Sequence, residues 1–166
     1  MRRNPPDWMG EIDPDKKYTC SHVPITSMRD TSGELREHFK PVGLWYACGV
    51  EWIEFLESEM PSWLEKVRYV YEVLPAMDRI IHLRTVEQVR KFDREFGTNR
   101  YPGIASDRTE EVLWKEVARH ADGIEICPYQ RALRMSSVGW YYAWDVASGC
   151  IWRPEGLREL RLVARL

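Results

Sequence analysis

The chain has 166 residues, 44% of them hydrophobic and 30% charged, which suits one globular domain able to bury a core and excludes the disordered class. A formal net charge of −2 and a pI near 6.1 give no whole-chain electrostatic footprint for nucleic acid. No stretch approaches the ~20 apolar residues of a membrane span, and no apolar run follows "MRRNPPDW" as a signal peptide needs, so a cytoplasmic protein with no membrane partner is expected.

Residues 1–16 are rich in Pro and Asp and read as an N-terminal arm, with residues 17–166 as a single domain. "KKYTCSHVPI" (Lys16–Ile25) has a β-like centre ended by Pro24, and the polar "TSMRDTSGELREHFKP" reads as loop with a short helical turn. "GLWYAC" is a strand. "VEWIEFLESEM" then sets Trp52, Phe55, Leu56 and Met60 at helical spacing, up to Pro61. "KVRYVYEVL" is apolar on both faces and reads as a central strand closed by Pro75, followed by the short strand "RIIHL". "TVEQVRKFDREFG" offers Thr85 as N-cap, Val86, Val89, Phe92 and Phe96 as an apolar stripe, and Gly97 as its end.

Residues 98–109 read as loop and "TEEVLWKEVARH" as a third helix with Val112, Leu113 and Val117 inward. "DGIEIC" is a strand stopped by Pro128. "WYYAWDVASGCIW" is dense in aromatics and ends in a strand, "GCIW", and "LRELRLVARL" supplies the last strand. The sum is an α+β chain, with compact mixed or antiparallel sheets and about three flanking helices. No GxGxxG follows a strand and no GxxxxGK[ST] occurs, so the two commonest nucleotide-binding folds are not indicated.

The cysteines, at 20, 48, 127 and 150, form no CxxC pair, and the four histidines add no metal spacing; no zinc site is expected, and the thiols read as reduced and mostly buried. On a strand, Tyr18, Cys20 and His22 point one way and Thr19 and Ser21 the other. Trp45 and Tyr46 likewise face opposite sides, so one belongs to the core and the other is a candidate ring-stacking wall. Eight Trp and eight Tyr strengthen the expectation of a site for a flat ring. Glu125, between Ile124 and Ile126, either faces solvent or is placed for a task. Asp145 is either the cap of a turn through Ser148 and Gly149 or a second functional carboxylate.

Three stretches, "YTCSH", "KPVGLWYAC" and "DGIEICPY", together resemble the ADP-ribosyltransferase-like fold of phage and bacterial toxin type. The resemblance implies an NAD site built on three strands. Its first would give His22 or Ser21, with Tyr18, to the dinucleotide. Its second would set Lys40, Trp45 and Tyr46 beside the nicotinamide, and its third would bring in Glu125 as catalytic residue with His22. Ala47 stands where a Ser is expected after the aromatic pair, and no Glu-x-Glu pair precedes Ile126. The implied activity is mono-ADP-ribosyl transfer from NAD to a protein or nucleic-acid target, with an antitoxin or host protein as a further partner. A carboxylate would stabilise the oxocarbenium-like state formed as the nicotinamide–ribose bond breaks.

Two readings of other classes stand beside it. One is a non-catalytic interaction protein that binds a host factor through an exposed aromatic patch. The other is an RNA-processing enzyme using His22 and His82 as acid and base, which requires the two rings near one phosphate position.

Overall fold

The computed structural model describes residues 12–100, 103 and 107–166. In chain order its strands are β1 (Lys17–Ser21), β2 (Glu37–His38), β3 (Leu44–Cys48), β4 (Tyr69–Pro75), β5 (Ile80–Leu83), β6 (Gly97–Thr98), β7 (Glu111–Leu113), β8 (Gly123–Ile126), β9 (Ser148–Ile151) and β10 (Leu157–Arg165). Helices α1 (Glu51–Glu59), α2 (Pro61–Leu64), α3 (Val86–Phe96) and α4 (Trp114–Val117) lie between them. The main sheet runs β10-β4-β1-β3-β9-β8-β5, and β2-β7-β6 form a small second sheet. Every neighbouring pair in the main sheet is antiparallel except β5 with β8, so the chain is α+β with an antiparallel-rich sheet.

The helices collect on the sheet face that carries Tyr18, Trp45, Ile124 and Ile126. There α1 and α2 close over Tyr18 and Val70, while α3 and α4 close over Ile124, Ile126 and a group of buried tryptophans. Helix α3 forms where its pattern predicts. The Thr85 hydroxyl accepts from the Gln88 amide at 3.2 Å, and Val89, Phe92 and Phe96 are buried.

The expected third helix divides in two. Glu111–Leu113 pairs as a strand with both β2 and β6, and only the turn Trp114–Val117 is helical. Val112 and Trp114 are both fully buried, a spacing of two that favours extended backbone, and the Trp114 indole donates to the His38 carbonyl at 2.9 Å. Tertiary pairing has overridden a helical pattern too short to stand alone.

At the N-terminus, residues 1–11 of the expected arm lie outside the described residues. Ile12 is buried and the Lys16 carbonyl accepts from the Gly49 amide at 2.6 Å, so the folded domain begins before Lys17. No helix among the described residues is long and apolar enough to cross a membrane.

Candidate functional site

Strand β3 brings two different chemistries to the two faces of the sheet. Trp45 points to the helical face, where it packs edge-on against Trp144 with ring centroids 5.0 Å apart. Tyr46 points the other way, is 2% exposed, and donates from its hydroxyl to Glu125 Oε2 at 2.8 Å. Alternation along a strand therefore assigns Trp45 to a cavity wall and Tyr46 to a buried polar group.

The cavity has a volume of about 270 Å³ and lies on the helical face beside α1 and α2. Trp45, Trp52 and Trp63 line it beside Tyr18 and Cys20 of β1, with Lys40 and Asp145 also in its wall. Lys40 Nζ sits 5.4 Å from the Trp45 ring centre and 3.8 Å from Asp145 Oδ2. Burial lowers the Lys40 pKa, and the Asp145 charge partly restores it. The other Asp145 oxygen is 3.9 Å from Arg134 Nη2, and no hydrogen bond holds either oxygen among the described residues. The residues just after it are better fixed: the Ala147 amide donates to Glu51 Oε2 of α1 at 2.8 Å, and the Ser148 hydroxyl donates to the Val146 carbonyl at 2.9 Å. The result is a carboxylate on a firm loop but only loosely paired, opposite an ammonium, over an apolar aromatic floor. Such a site can stack a flat ring and meet an attached polar group with both charges.

Glu125 is not part of this cavity. It is 4% exposed on the opposite face, where Lys17 Nζ lies 3.3 Å from Oε2 and His82 Nδ1 3.6 Å from Oε1. The carboxylate and the Tyr46 hydroxyl meet across β9, because β9 contributes only Gly149 on this face at that level. A Cβ at 149 would run into the Tyr46 phenol ring and hydroxyl and lie 2.8 Å from the Ile124 carbonyl. Burial first, then the charge and hydrogen bond of Glu125, hold the Tyr46 pKa well above its ordinary value. Nearby, the hydrogen bond between Cys48 and Cys127 raises the Cys48 pKa, together with burial, and lowers that of Cys127.

The sheet thus separates residues that the sequence groups together. Tyr18, Lys40 and Trp45 reach the cavity, though the Tyr18 hydroxyl is engaged by the Asp13 amide at 2.9 Å. His22 is exposed at the end of β1, its ring 4.6 Å from that of Trp63. Ser21 turns to the Val23 carbonyl at 2.6 Å, and Tyr46, though among the residues along the cavity, sends its hydroxyl to Glu125 on the far face. Glu125 and His22 do not share a cleft: β1 and β8 are three strand spacings apart, about 14 Å. His22 and His82 stand on strands four spacings apart, about 19 Å, too far to serve one phosphate. Asp145, for which the sequence allows either a turn cap or a second functional carboxylate, is the carboxylate in the cavity wall. Its signal was present in "WDVASGCIW", an acid beside aromatics just before a strand, but its partner Lys40 is distant in sequence.

The tryptophan excess resolves the same way. Trp114, Trp140, Trp144 and Trp152 are fully buried in the core, and the remaining three described tryptophans line the cavity. No family model, curated protein or solved structure matches the chain.

Proposed function

We propose that the tryptophan-lined cavity is a nucleotide site and that the protein is an NAD-consuming ADP-ribosyltransferase in which Asp145, rather than Glu125, is the acting carboxylate. The observation that carries this reading is the convergence of Trp45, Trp52 and Trp63 with the Lys40–Asp145 pair in one cavity. The cavity volume, about 270 Å³, is at the small end for a ligand site and suits a ring with its adjoining ribose, leaving the rest of a dinucleotide outside. The indoles stack the nicotinamide and exclude water. Lys40 meets a phosphate or ribose oxygen, and the Asp145 carboxylate opposes the positive charge that develops on the ribose as the glycosidic bond breaks. The three strands of the reading are then β1, β3 and the start of β9, which are contiguous in the sheet.

The interaction-protein alternative calls for an exposed aromatic patch; among the described residues the exposed aromatics include Phe39 and Tyr142, while the tryptophans are in the core or the cavity. The test is NAD binding by thermal shift and nicotinamide release, for wild type, Trp45→Ala, Asp145→Asn and Glu125→Gln. Trp45→Ala is expected to lose binding. Asp145→Asn is expected to bind but release no nicotinamide, and Glu125→Gln to keep both at the cost of a lower melting temperature. NAD that neither shifts the wild-type melting temperature nor releases nicotinamide sinks the proposal. Activity lost in Glu125→Gln at a temperature where that variant is folded returns the catalytic role to Glu125.

A further inference from the structure

The sheet face away from the cavity holds a second group of chemistry-bearing side chains. Cys48 Sγ, Cys127 Sγ and a Glu125 carboxylate oxygen all lie within 4.8 Å of one another. Cys48 ends β3, Glu125 lies in β8 and Cys127 directly follows it. Tyr46 and Lys17 both hold Oε2, at 2.8 and 3.3 Å, so Oε1 is the oxygen left to the cluster and to His82. His82 Nε2 is 2.9 Å from the Met77 carbonyl. A carbonyl only accepts, so Nε2 carries a proton, and in the neutral ring Nδ1 presents a lone pair. Nδ1 is buried, has no hydrogen-bond partner, and lies 3.6 Å from Glu125 Oε1. In the neutral ring these two acceptors repel each other out of water, and a proton on Nδ1 or a cation held between them relieves the conflict.

We propose that Cys48, Cys127 and Glu125 bind one thiophilic divalent cation of the zinc class, with His82 Nδ1 as the fourth ligand. Around tetrahedral zinc, with bonds of about 2.3 Å to sulfur and about 2.0 Å to nitrogen and oxygen, ligand atoms stand roughly 3.3–3.8 Å apart. The His82–Glu125 separation already falls in that range, and the two sulfurs and the carboxylate oxygen, now within 4.8 Å of one another, would draw in around the ion. Two sulfur ligands select zinc over magnesium or calcium. Charge favours it as well: two thiolates and a carboxylate carry three negative charges, which a divalent cation and the Lys17 ammonium together neutralise. The Met77 carbonyl, Tyr46 and Lys17 act as the outer shell that orients the ligands. No spacing motif announces the site because its ligands come from three strands or their ends. Since it lies on the other face from the nucleotide cavity, it stands or falls separately from the proposed activity.

The test uses the full chain purified without chelator. Its metal content is measured by plasma emission, and the metal-free protein is then titrated with Co²⁺ and followed by absorption. The expected result is one zinc per chain and a thiolate-to-cobalt charge-transfer band. Cys48→Ser and Cys127→Ser should each weaken or abolish that band and reduce affinity more than tenfold. His82→Gln should reduce it about tenfold, and Cys20→Ser should leave it unchanged. Circular dichroism of the metal-free variants checks that they fold. A second readout needs no variant: zinc should protect Cys127 of the wild-type chain from maleimide. Folded wild type without stoichiometric zinc or the charge-transfer band overturns the proposal, as does equal labelling of Cys127 with and without zinc.

Discussion

Tyr46→Phe isolates one buried interaction with little change of shape. The ring stays packed with Val73 and Ile151, and only the hydroxyl that donates to Glu125 Oε2 at 2.8 Å is removed. Glu125 is 4% exposed, so water does not replace the lost donor, and Lys17 at 3.3 Å is left as the partner of that oxygen. A hydrogen bond to a buried charged group contributes about 1.5–3 kcal/mol. For a chain of this size that lowers the melting temperature by roughly 3–12 °C. The pH dependence provides an independent check on the same group. Folding raises the Tyr46 pKa above its ordinary value of 10.0, so above about pH 10 the unfolded chain binds fewer protons than the folded one. The stabilisation is complete below that pH and falls by about 1.4 kcal/mol per pH unit above it. The phenylalanine variant lacks this term, and the stability gap between the two proteins should narrow as the pH rises past 10. Urea unfolding of both proteins near neutrality and at two pH values above 10 measures it. Equal stability near neutrality, or parallel alkaline curves, would refute the account of Tyr46 as the buried donor to a charged Glu125.

Three further outcomes are expected. Gly149→Ala should cost about 1–3 kcal/mol from overpacking, because its Cβ meets the Tyr46 ring; in a double-mutant cycle with Tyr46→Phe the two changes should not add. Thr85→Ala removes the side-chain cap of α3 and should cost about 1 kcal/mol in thermal or urea unfolding, with Thr85→Ser close to wild type. In the metal-free protein, maleimide followed by mass spectrometry should label Cys127, whose pKa its hydrogen bond with Cys48 lowers. It should spare Cys20, pushed up to about 12 by burial, until the pH is strongly alkaline.

Elements held together by local signals were legible in the sequence. Helix α3 has a cap, a stripe and an end within one window, and β8 is a short run bounded by turn residues. Strand β7 was not, because Glu111–Leu113 becomes extended only by pairing with β2 and β6, and neither partner strand exceeds two residues. The site residues divide by the same logic. That Trp45 and Tyr46 face opposite sides follows from the period of a strand. Which of them meets a cavity depends on where α1 and α2 pack. Glu125 stood out as an acid within an apolar strand, yet its function as partner of Tyr46 depends on a register running through β9 at a glycine. The sequence left Asp145 between a turn cap and a functional carboxylate, because its cavity is assembled from β1, β3 and two helices.

The buried polar group on the far face also bears on the cavity, through register. A slip of β3 by one residue against β1 and β9 would carry Tyr46 into the cavity and turn Trp45 toward Glu125. Glu125 would then lose its hydroxyl donor while remaining out of water, and the cavity would lose an indole wall. An apolar residue at 46 would leave hydrophobic burial as the main discriminator between registers, and large side chains at both 45 and 46 discriminate poorly. A buried carboxylate that must find a hydroxyl in one place penalises the slipped pairing by the cost of an unsatisfied charge. Glu125, Tyr46 and Gly149 on one face thereby fix where Trp45 stands on the other. Tyr46→Phe should accordingly broaden the environment of the Trp45 indole in NMR spectra, although residue 46 lies behind the sheet from it.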